Sequence, residues 1–118
     1  MKPLKGLFVG LVLVALAGPV LAADSAGSIT ILAPANGAML QSGSGNKLEF
    51  NVHLSPNGNH VHIYVDDQSP IIDRDIHNCP CSIALPDLSP GKHTIAVKEA
   101  TVSHALTGVE GSTTVTVR

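Results

Sequence analysis

Aromatic residues are scarce in this sequence, which has no tryptophan, one tyrosine and two phenylalanines among 118 residues. A hydrophobic core must therefore be built mainly from valine, isoleucine and leucine. Basic residues are also few, with seven lysines and arginines against nine acidic residues, and this balance lacks the positive surface that binds nucleic acid. The two methionines, Met1 and Met39, exclude a methionine-rich copper motif.

The sequence also lacks the motifs that mark common catalytic and calcium sites. It contains no Gly-x-Ser-x-Gly turn, no His-Glu-x-x-His helix and no EF-hand loop. No nucleophile with an oriented base can be recognised, so we expect the protein not to be an enzyme. The acidic residues within 66–67 and 73–75 are interpreted as parts of solvated turns.

The first 22 residues have the features of a secretory signal peptide. Lys2 and Lys5 precede an apolar run at 7–17, and the segment ends at Ala22 before a predicted cut. The apolar run is too short to span a bilayer, and no stop-transfer charges follow it. We therefore expect 1–22 to be removed, leaving 23–118 as a single periplasmic or secreted domain without a membrane span.

Short segments that alternate apolar and polar residues are separated by turn clusters, a pattern typical of half-buried strands. Apolar residues occupy one face of the two clearest strands: Leu48, Phe50, Val52 and Leu54, then Val61, Ile63 and Val65. Further strands are predicted at 28–32, 70–75, 81–85 and 113–117, and around Ile95 and Val97. This pattern predicts an all-β fold, an immunoglobulin-like β-sandwich of about seven antiparallel strands.

Histidine is the enriched residue type, and two of the six histidines, His60 and His62, lie in the stretch "GNHVHIYVDD". They share one parity on a strand, so both are predicted to point to its outer face, with Cα atoms about 6.6 Å apart. In an immunoglobulin-like sandwich, His60 begins strand C and His104 follows strand F, which is the neighbour of strand C. His53 and both cysteines are expected toward the same end.

Imidazoles at this spacing can bind one zinc ion through bonds of about 2.0 Å, and copper accepts the same ligands. His60, His62 and His104 are therefore the predicted metal ligands. The alternative is that His60 and His62 are solvated side chains on the wet face of a sheet.

Cys79-Pro80-Cys81 contains the only cysteines. Pro80 favours an extended Cys79, which directs both side chains to the same side. The pair can form a disulfide, provide two thiolates for a soft metal ion such as Cu(I), or close a loop as an inert buried pair. Because the motif is not Cys-x-x-Cys, thioredoxin-type chemistry is not indicated.

The stretch "LSPGKHTI" resembles the corner that precedes the sixth strand of many bacterial immunoglobulin-like and fibronectin-type domains. In that corner an aromatic ring bonds back to the backbone. His93 occupies the position of the ring, and we predict a structural role for it.

Two further stretches, "LAPANGAML" and "SHALTG" followed by "TTVTV", resemble the corresponding ends of CopC-type periplasmic copper-binding proteins. The resemblance implies a small β-sandwich in which His104, within a His-x-x-Thr-Gly context, binds Cu(II). The other ligands of that family are a mature N-terminal histidine and an aspartate two residues before the loop histidine. Here the mature chain is predicted to begin at Ala23 and Val102 occupies the second position, so His60 and His62 would replace those ligands.

Two functional hypotheses follow. In the first, the domain binds a transition metal, copper rather than zinc, as a carrier or buffer, with Cys79 and Cys81 as a second, soft site and with a periplasmic protein as a partner. In the second, it is a metal-free interaction module that binds a protein or glycan through its B–C loop, 55–59, and its F–G loop, which contains His104.

Overall fold

The computed structural model describes residues 26–118, and all elements of this part of the chain are β-strands. In chain order they are β1 (Ser28–Ala33), β2 (Met39–Leu40), β3 (Lys47–His53), β4 (His60–Val65), β5 (Ile71–Asp73), β6 (Cys81–Ala84), β7 (Gly91–Ala100) and β8 (Leu106–Val117). The predicted signal peptide, 1–22, lies outside the described residues. Within 26–118, no helix has the length and apolarity needed to cross a membrane.

The strands form two sheets, which confirms the predicted all-β sandwich. One sheet has the order β1-β3-β6 and the other the order β2-β8-β7-β4-β5. The pairing of β4 with β7 is antiparallel and joins the strands predicted as C and F. The fold is that of an immunoglobulin-like or fibronectin type III-like sandwich.

The core lies between the sheets and is aliphatic, as the scarcity of aromatic residues predicted. Phe50 is its largest fully buried apolar side chain, and Val61 and Ile63 of β4 and Ile95 and Val97 of β7 are also fully buried. The alternation on β3 and β4 therefore has the predicted parity. Since the apolar residues of β4 face the core, His60 and His62 extend from its opposite face.

Three details differ from the sequence prediction. The described chain has eight strands, because Met39–Leu40 forms a two-residue strand parallel to β8 that is too short to show any alternation. The last strand begins at Leu106 instead of residue 113, since the glycines and polar residues in this segment pair with β7 in spite of their weak strand pattern. β5 is three residues shorter than predicted and β6 is one residue shorter.

Candidate metal centre

Three histidines that are distant in the sequence meet on the outer face of the five-stranded sheet. β4 carries His60 and His62, and the loop between β7 and β8 carries His104. The pairing of β4 with β7 positions His60 opposite Ala100, the last residue before this loop. The ring centroids of His60 and His104 are 4.7 Å apart, and those of His62 and His104 are 5.3 Å apart. The predicted meeting of strand C with the F–G loop is confirmed.

Both histidines of β4 are buried, so the alternative of a solvated pair is wrong. His60 has no exposed surface and His62 retains 6%. Their side chains point away from the core, as predicted. The packing of His104 against both rings nevertheless helps to shield them from solvent. His104 itself is exposed. The centre thus combines two buried ligands with one ligand that solvent can reach.

The loop that carries His104 has a strained backbone at that residue. The Thr101 carbonyl accepts a hydrogen bond from the His104 N–H at 2.8 Å, and the Thr101 N–H donates to the Ala105 carbonyl at 2.8 Å. This tight turn requires a φ of 72° at His104, in the left-handed region that glycine or asparagine normally occupies. A histidine at such a position, with its ring directed at two buried histidines, indicates a functional constraint.

The three facing nitrogens form a nearly equilateral triangle. His60 Nε2 and His62 Nε2 are 3.1 Å apart, and each lies 3.2 Å from His104 Nδ1. For three imidazoles bound tetrahedrally to one ion through bonds of about 2.05 Å, the expected separation is about 3.3 Å. An ion at that bond length would lie about 0.9 Å outside the plane of the nitrogens, with a fourth position open on the far side. The triangle therefore has the dimensions of a metal site.

Hydrogen bonds on the far side of the rings favour the tautomers that a metal requires. His60 Nδ1 is 2.9 Å from the amide oxygen of Asn59, which can only accept, so this nitrogen carries the proton and Nε2 is left with a free lone pair. His62 Nδ1 is 3.2 Å from the Tyr64 hydroxyl, which can either donate or accept a proton; when it accepts, Nε2 of His62 is also left with a free lone pair. The lone pairs of the facing imidazole nitrogens then point into the triangle. A single proton can form a hydrogen bond between only two of these nitrogens, whereas a cation bound to all three would compensate every lone pair.

The protonation states of the two buried histidines suit metal binding as well. Burial lowers the pKa of His60 below its usual value, and the positive charge of Arg74 and the neighbouring His104 and His62 lower it further. Burial also lowers the pKa of His62, with smaller effects from His104 and Arg74. Both imidazoles are therefore neutral near pH 7, and the neutral form is the one that binds metal.

A buried glutamate that the sequence analysis missed fixes the two loops around the centre. Glu99 has no exposed surface, and its carboxylate accepts hydrogen bonds from the Ser55 N–H at 2.8 Å, the Ser55 hydroxyl at 2.5 Å and the Thr107 hydroxyl at 2.7 Å. Ser55 begins the loop before His60, and Thr107 follows the loop that carries His104. A charged residue with the parity of Ile95 and Val97 was the signal available in the sequence, since it interrupts an apolar face.

The geometry around Glu99 explains two further residues. A β-bulge in the β7–β8 pairing falls between Lys98 and Ala100, and the extra residues of β8 turn Thr107 toward the carboxylate. At Gly58, any Cβ atom would overlap the Glu99 carboxylate. Glycine is thus required there for the B–C loop to pack on Glu99.

Cys79 and Cys81 are joined by a disulfide bond. Among the alternatives that the sequence left open, which were a disulfide, a pair of thiolate ligands and an inert buried pair, the structure has the disulfide. In this state neither sulfur is a thiolate, and the pair offers no soft site for Cu(I). Cys79 lines a separate pocket of about 420 Å³ with His53 and His77 instead of joining the histidine triangle. A disulfide is consistent with a location outside the reducing cytoplasm.

His93 has the predicted structural role. Its Nε2 donates to the Ser89 carbonyl at 2.7 Å and its Nδ1 donates to the Asp66 carboxylate at 2.6 Å. Because both partners are acceptors only, the ring must carry both protons and is an imidazolium. The hydrogen bond with Asp66, followed by that with Ser89, accordingly raises the pKa of His93.

Comparison with solved structures supports the fold. The fibronectin(III)-like modules of Clostridium thermocellum CbhA are similar to this chain with a TM-score of 0.61 and 19% sequence identity, over 76% of this chain and 96% of that one. The extracellular domain of BT4673 from B. thetaiotaomicron is similar over 77% of this chain and 15% of that one, with a TM-score of 0.50 and 12% identity. At these identities the likeness concerns the fold alone.

No protein-family model matches the sequence, and no curated protein matches it. The chain is therefore described by its fold: an eight-stranded sandwich of fibronectin type III or immunoglobulin-like type that resembles bacterial extracellular modules.

Proposed function

We propose that this protein binds one transition metal ion, copper, through His60, His62 and His104, and acts as a carrier or buffer outside the cytoplasm. The observation that supports this is the triangle of three imidazole nitrogens with sides of 3.1 to 3.2 Å. These three histidines form a group whose ligand atoms can share one ion. Neutral imidazoles in a partly buried position are ligands that zinc and copper both accept.

Copper is favoured over zinc by general coordination chemistry. Among first-row divalent ions, Cu²⁺ binds a given set of nitrogen ligands most tightly. The resemblance of the segment around His104 to CopC-type proteins points in the same direction. In this chain, however, the partners of His104 are two histidines of β4, so the proposed ligand set is distinct from the one that the resemblance implies.

The positions of the three ligands agree with a carrier or buffer instead of an enzyme. His60 and His62 are held in the sheet, whereas His104 lies on an exposed hairpin loop. Ligand exchange through an exposed residue allows an ion to be taken up and passed to an acceptor protein.

Metal titration of single-residue variants tests the proposal. The chain, purified without a histidine tag, is titrated with Cu(II) and Zn(II) as wild type, His60→Ala and His104→Ala. We expect the wild type to bind one ion per chain, with higher affinity for copper than for zinc. Each variant should lose at least about a hundredfold in affinity, because the loss of a ligand reduces metal affinity more than the loss of a residue that only hydrogen-bonds to a ligand. His53→Ala, an exposed histidine of β3, is the matched control and should bind as the wild type does. Equal affinities in all four proteins would reject the proposal.

The metal-free interaction module remains a second candidate, and one observation favours it. Val102 of the β7–β8 loop is 75% exposed and Leu106, the first residue of β8, is 48% exposed, so exposed apolar residues lie on both sides of His104. Exposed apolar residues on a loop suit a protein or glycan partner. A wild type that binds neither metal, combined with binding to a partner that a Val102→Ser/Leu106→Ser variant loses, would favour this candidate over the carrier.

A further inference from the structure

The histidine triangle leaves one coordination position of a bound ion without a protein ligand. An ion bound to His60 Nε2, His62 Nε2 and His104 Nδ1 lies to one side of their plane, as derived above, and a four-coordinate ion then needs a ligand on its open side. In the described part of the chain, the group that can share one ion contains these three histidines and no carboxylate or thiolate. Residues 26–118 thus supply three ligands and leave the fourth position open to a ligand from outside this part of the chain.

The charge around the triangle determines what kind of ligand this is. Three neutral imidazoles leave the full charge of the ion uncompensated. Arg74 directly follows β5, whose last residue, Asp73, pairs with Val61 between the two histidines of β4. Because Asp73 is opposite the core-facing Val61, the next residue, Arg74, falls on the outer face of the sheet, on the same side as His60. With an ion bound, this face would therefore carry the charge of the ion and that of Arg74.

A second cation on this face is already engaged. Lys98 of β7 pairs with His62 across the sheet, and its ammonium lies 3.5 Å from Glu110 and 5.3 Å from the centre of the Tyr64 ring. The ion pairs found within residues 26–118 are this one and His93 with Asp66, so Arg74 belongs to neither. Its planar guanidinium is free to pair with a carboxylate or an oxyanion of matching geometry.

We propose that the metal-loaded centre binds a small oxygen anion, either a carboxylate or an inorganic oxyanion, as the fourth ligand of the ion and as the partner of Arg74. This inference rests on the proposed function, because without the ion the triangle has no anion site. The anion reduces the excess positive charge and completes the coordination of the metal. It also gives a carrier a simple way to exchange its cargo, since an acceptor's carboxylate can displace the anion at the open position.

Anion titration of the copper-loaded chain tests this proposal. The full chain is loaded with one equivalent of Cu(II) in a non-coordinating buffer, and acetate, phosphate and azide are added separately while the visible absorption of the copper is followed. We expect saturable spectral changes, with half-saturation at about fivefold higher anion concentration in Arg74→Gln than in the wild type, the size expected for an exposed ion pair. Lys92→Gln removes the same charge at the opposite end of β7 and should leave the half-saturation unchanged.

The outcomes separate this proposal from the proposed function. Spectral changes with acetate alone would assign the site to carboxylates, and changes with phosphate alone would assign it to inorganic oxyanions. Copper that is retained but unaffected by any of the three anions would overturn the anion site while leaving the carrier intact. Equal half-saturation in the wild type and Arg74→Gln would overturn the role of Arg74. Failure of the wild type to bind copper at all would instead reject the proposed function.

Discussion

At the scale of single residues, His104 combines the side chain of a proposed metal ligand with an unfavourable backbone conformation. Its φ of 72° lies in the region that costs an ordinary residue about 1 to 2 kcal/mol, and the ring also brings a third lone pair to the buried pair of His60 and His62. Without an ion, both features reduce the stability of the fold. Residues that form a binding site often lower the stability of the fold in this way.

We therefore expect His104→Gly to stabilise the metal-free protein while removing the metal site. Glycine adopts a positive φ without strain, so the free energy of unfolding in chelator should rise by about 1 kcal/mol. Urea denaturation measures this change. Ser103→Gly, at the preceding position of the same loop, has no such strain to relieve and should lower stability by about 0.5 to 1 kcal/mol. A fall in stability for His104→Gly of the same size as for Ser103→Gly would show that the backbone at His104 is not strained.

Asn59 and Tyr64 contact the two histidines of β4 on the side away from the triangle, so they would orient the proposed metal ligands. Asn59 accepts the Nδ1 proton of His60, and the Tyr64 hydroxyl faces Nδ1 of His62. Removing such contacts typically costs ten- to a hundredfold in metal affinity. We expect Asn59→Ala and Tyr64→Phe each to weaken copper binding by about tenfold at unchanged stoichiometry, measured by competition with a chelator. Unchanged affinity in both variants would mean that these hydrogen bonds do not orient the rings.

At the scale of structural elements, Glu99 connects the segments that carry the site. It joins the loop before β4 to the start of β8 through Ser55 and Thr107, so His60 and His104 are held by a common buried carboxylate. Burial by itself raises the pKa of this carboxyl, but the hydrogen bonds from Ser55 and Thr107 outweigh it and the pKa is lowered. Its stabilising effect is therefore present at neutral pH and is lost as the pH falls through the lowered pKa.

We expect Glu99→Gln to lower the free energy of unfolding by about 1.5 to 3 kcal/mol at pH 7, since hydrogen bonds to a charged group are lost. The difference from the wild type should shrink below the usual pKa of a glutamate, because the unfolded wild-type chain then takes up a proton that the folded carboxylate resists. Urea denaturation at pH 7 and pH 3 measures both values. Glu49→Gln, at an exposed position of β3, is the control and should change stability by less than about 0.5 kcal/mol. A Glu99→Gln effect independent of pH would contradict an ionised buried carboxylate.

The elements also show which parts of the site could be predicted from the sequence. The parity of β4 follows from the alternation of Val61, Ile63 and Val65, and this alternation is enough to predict that His60 and His62 share one face of the strand. The role of Glu99 could not be predicted, because it depends on the bulge that turns Thr107 inward and on the approach of Gly58. These are tertiary effects that leave no local pattern.

At the scale of the whole molecule, the sandwich and its strand order account for the meeting of His104 with β4. The sequence predicted the adjacency of strands C and F from the fold class, and this adjacency is confirmed. It did not predict the burial of His60 and His62, since an outward position on a strand is normally exposed, whereas here both rings pack against His104. The parallel pairing of β2 with β8 likewise follows from the closure of the sandwich and not from any local signal.

The corner at His93 should make the stability of the whole domain depend on pH. The hydrogen bond to Asp66 raises the pKa of His93, so this contribution is complete below about pH 6.5 and is lost as the pH rises through the raised pKa. For Asp66, burial opposes ionisation, but the hydrogen bonds from His93 and Thr94 lower its pKa, so its contribution is lost only in acid. The pair therefore stabilises the domain most between about pH 4 and pH 6.5.

We expect His93→Tyr, in which the hydroxyl can still reach the Ser89 carbonyl, to abolish this dependence. The difference in unfolding free energy between wild type and variant, measured in chelator, should decrease from pH 6 to pH 9. A difference for His93→Tyr that does not change with pH would contradict the assignment of His93 as an imidazolium.

The central claim is that one ion is held by residues from β4 and from the β7–β8 loop. The most direct test is a crystal structure of the copper-loaded chain with data collected at the copper absorption edge. The account requires a single anomalous peak about 2.0 Å from His60 Nε2, His62 Nε2 and His104 Nδ1. A peak at any other site, or a peak that one of these three nitrogens does not reach, would contradict it.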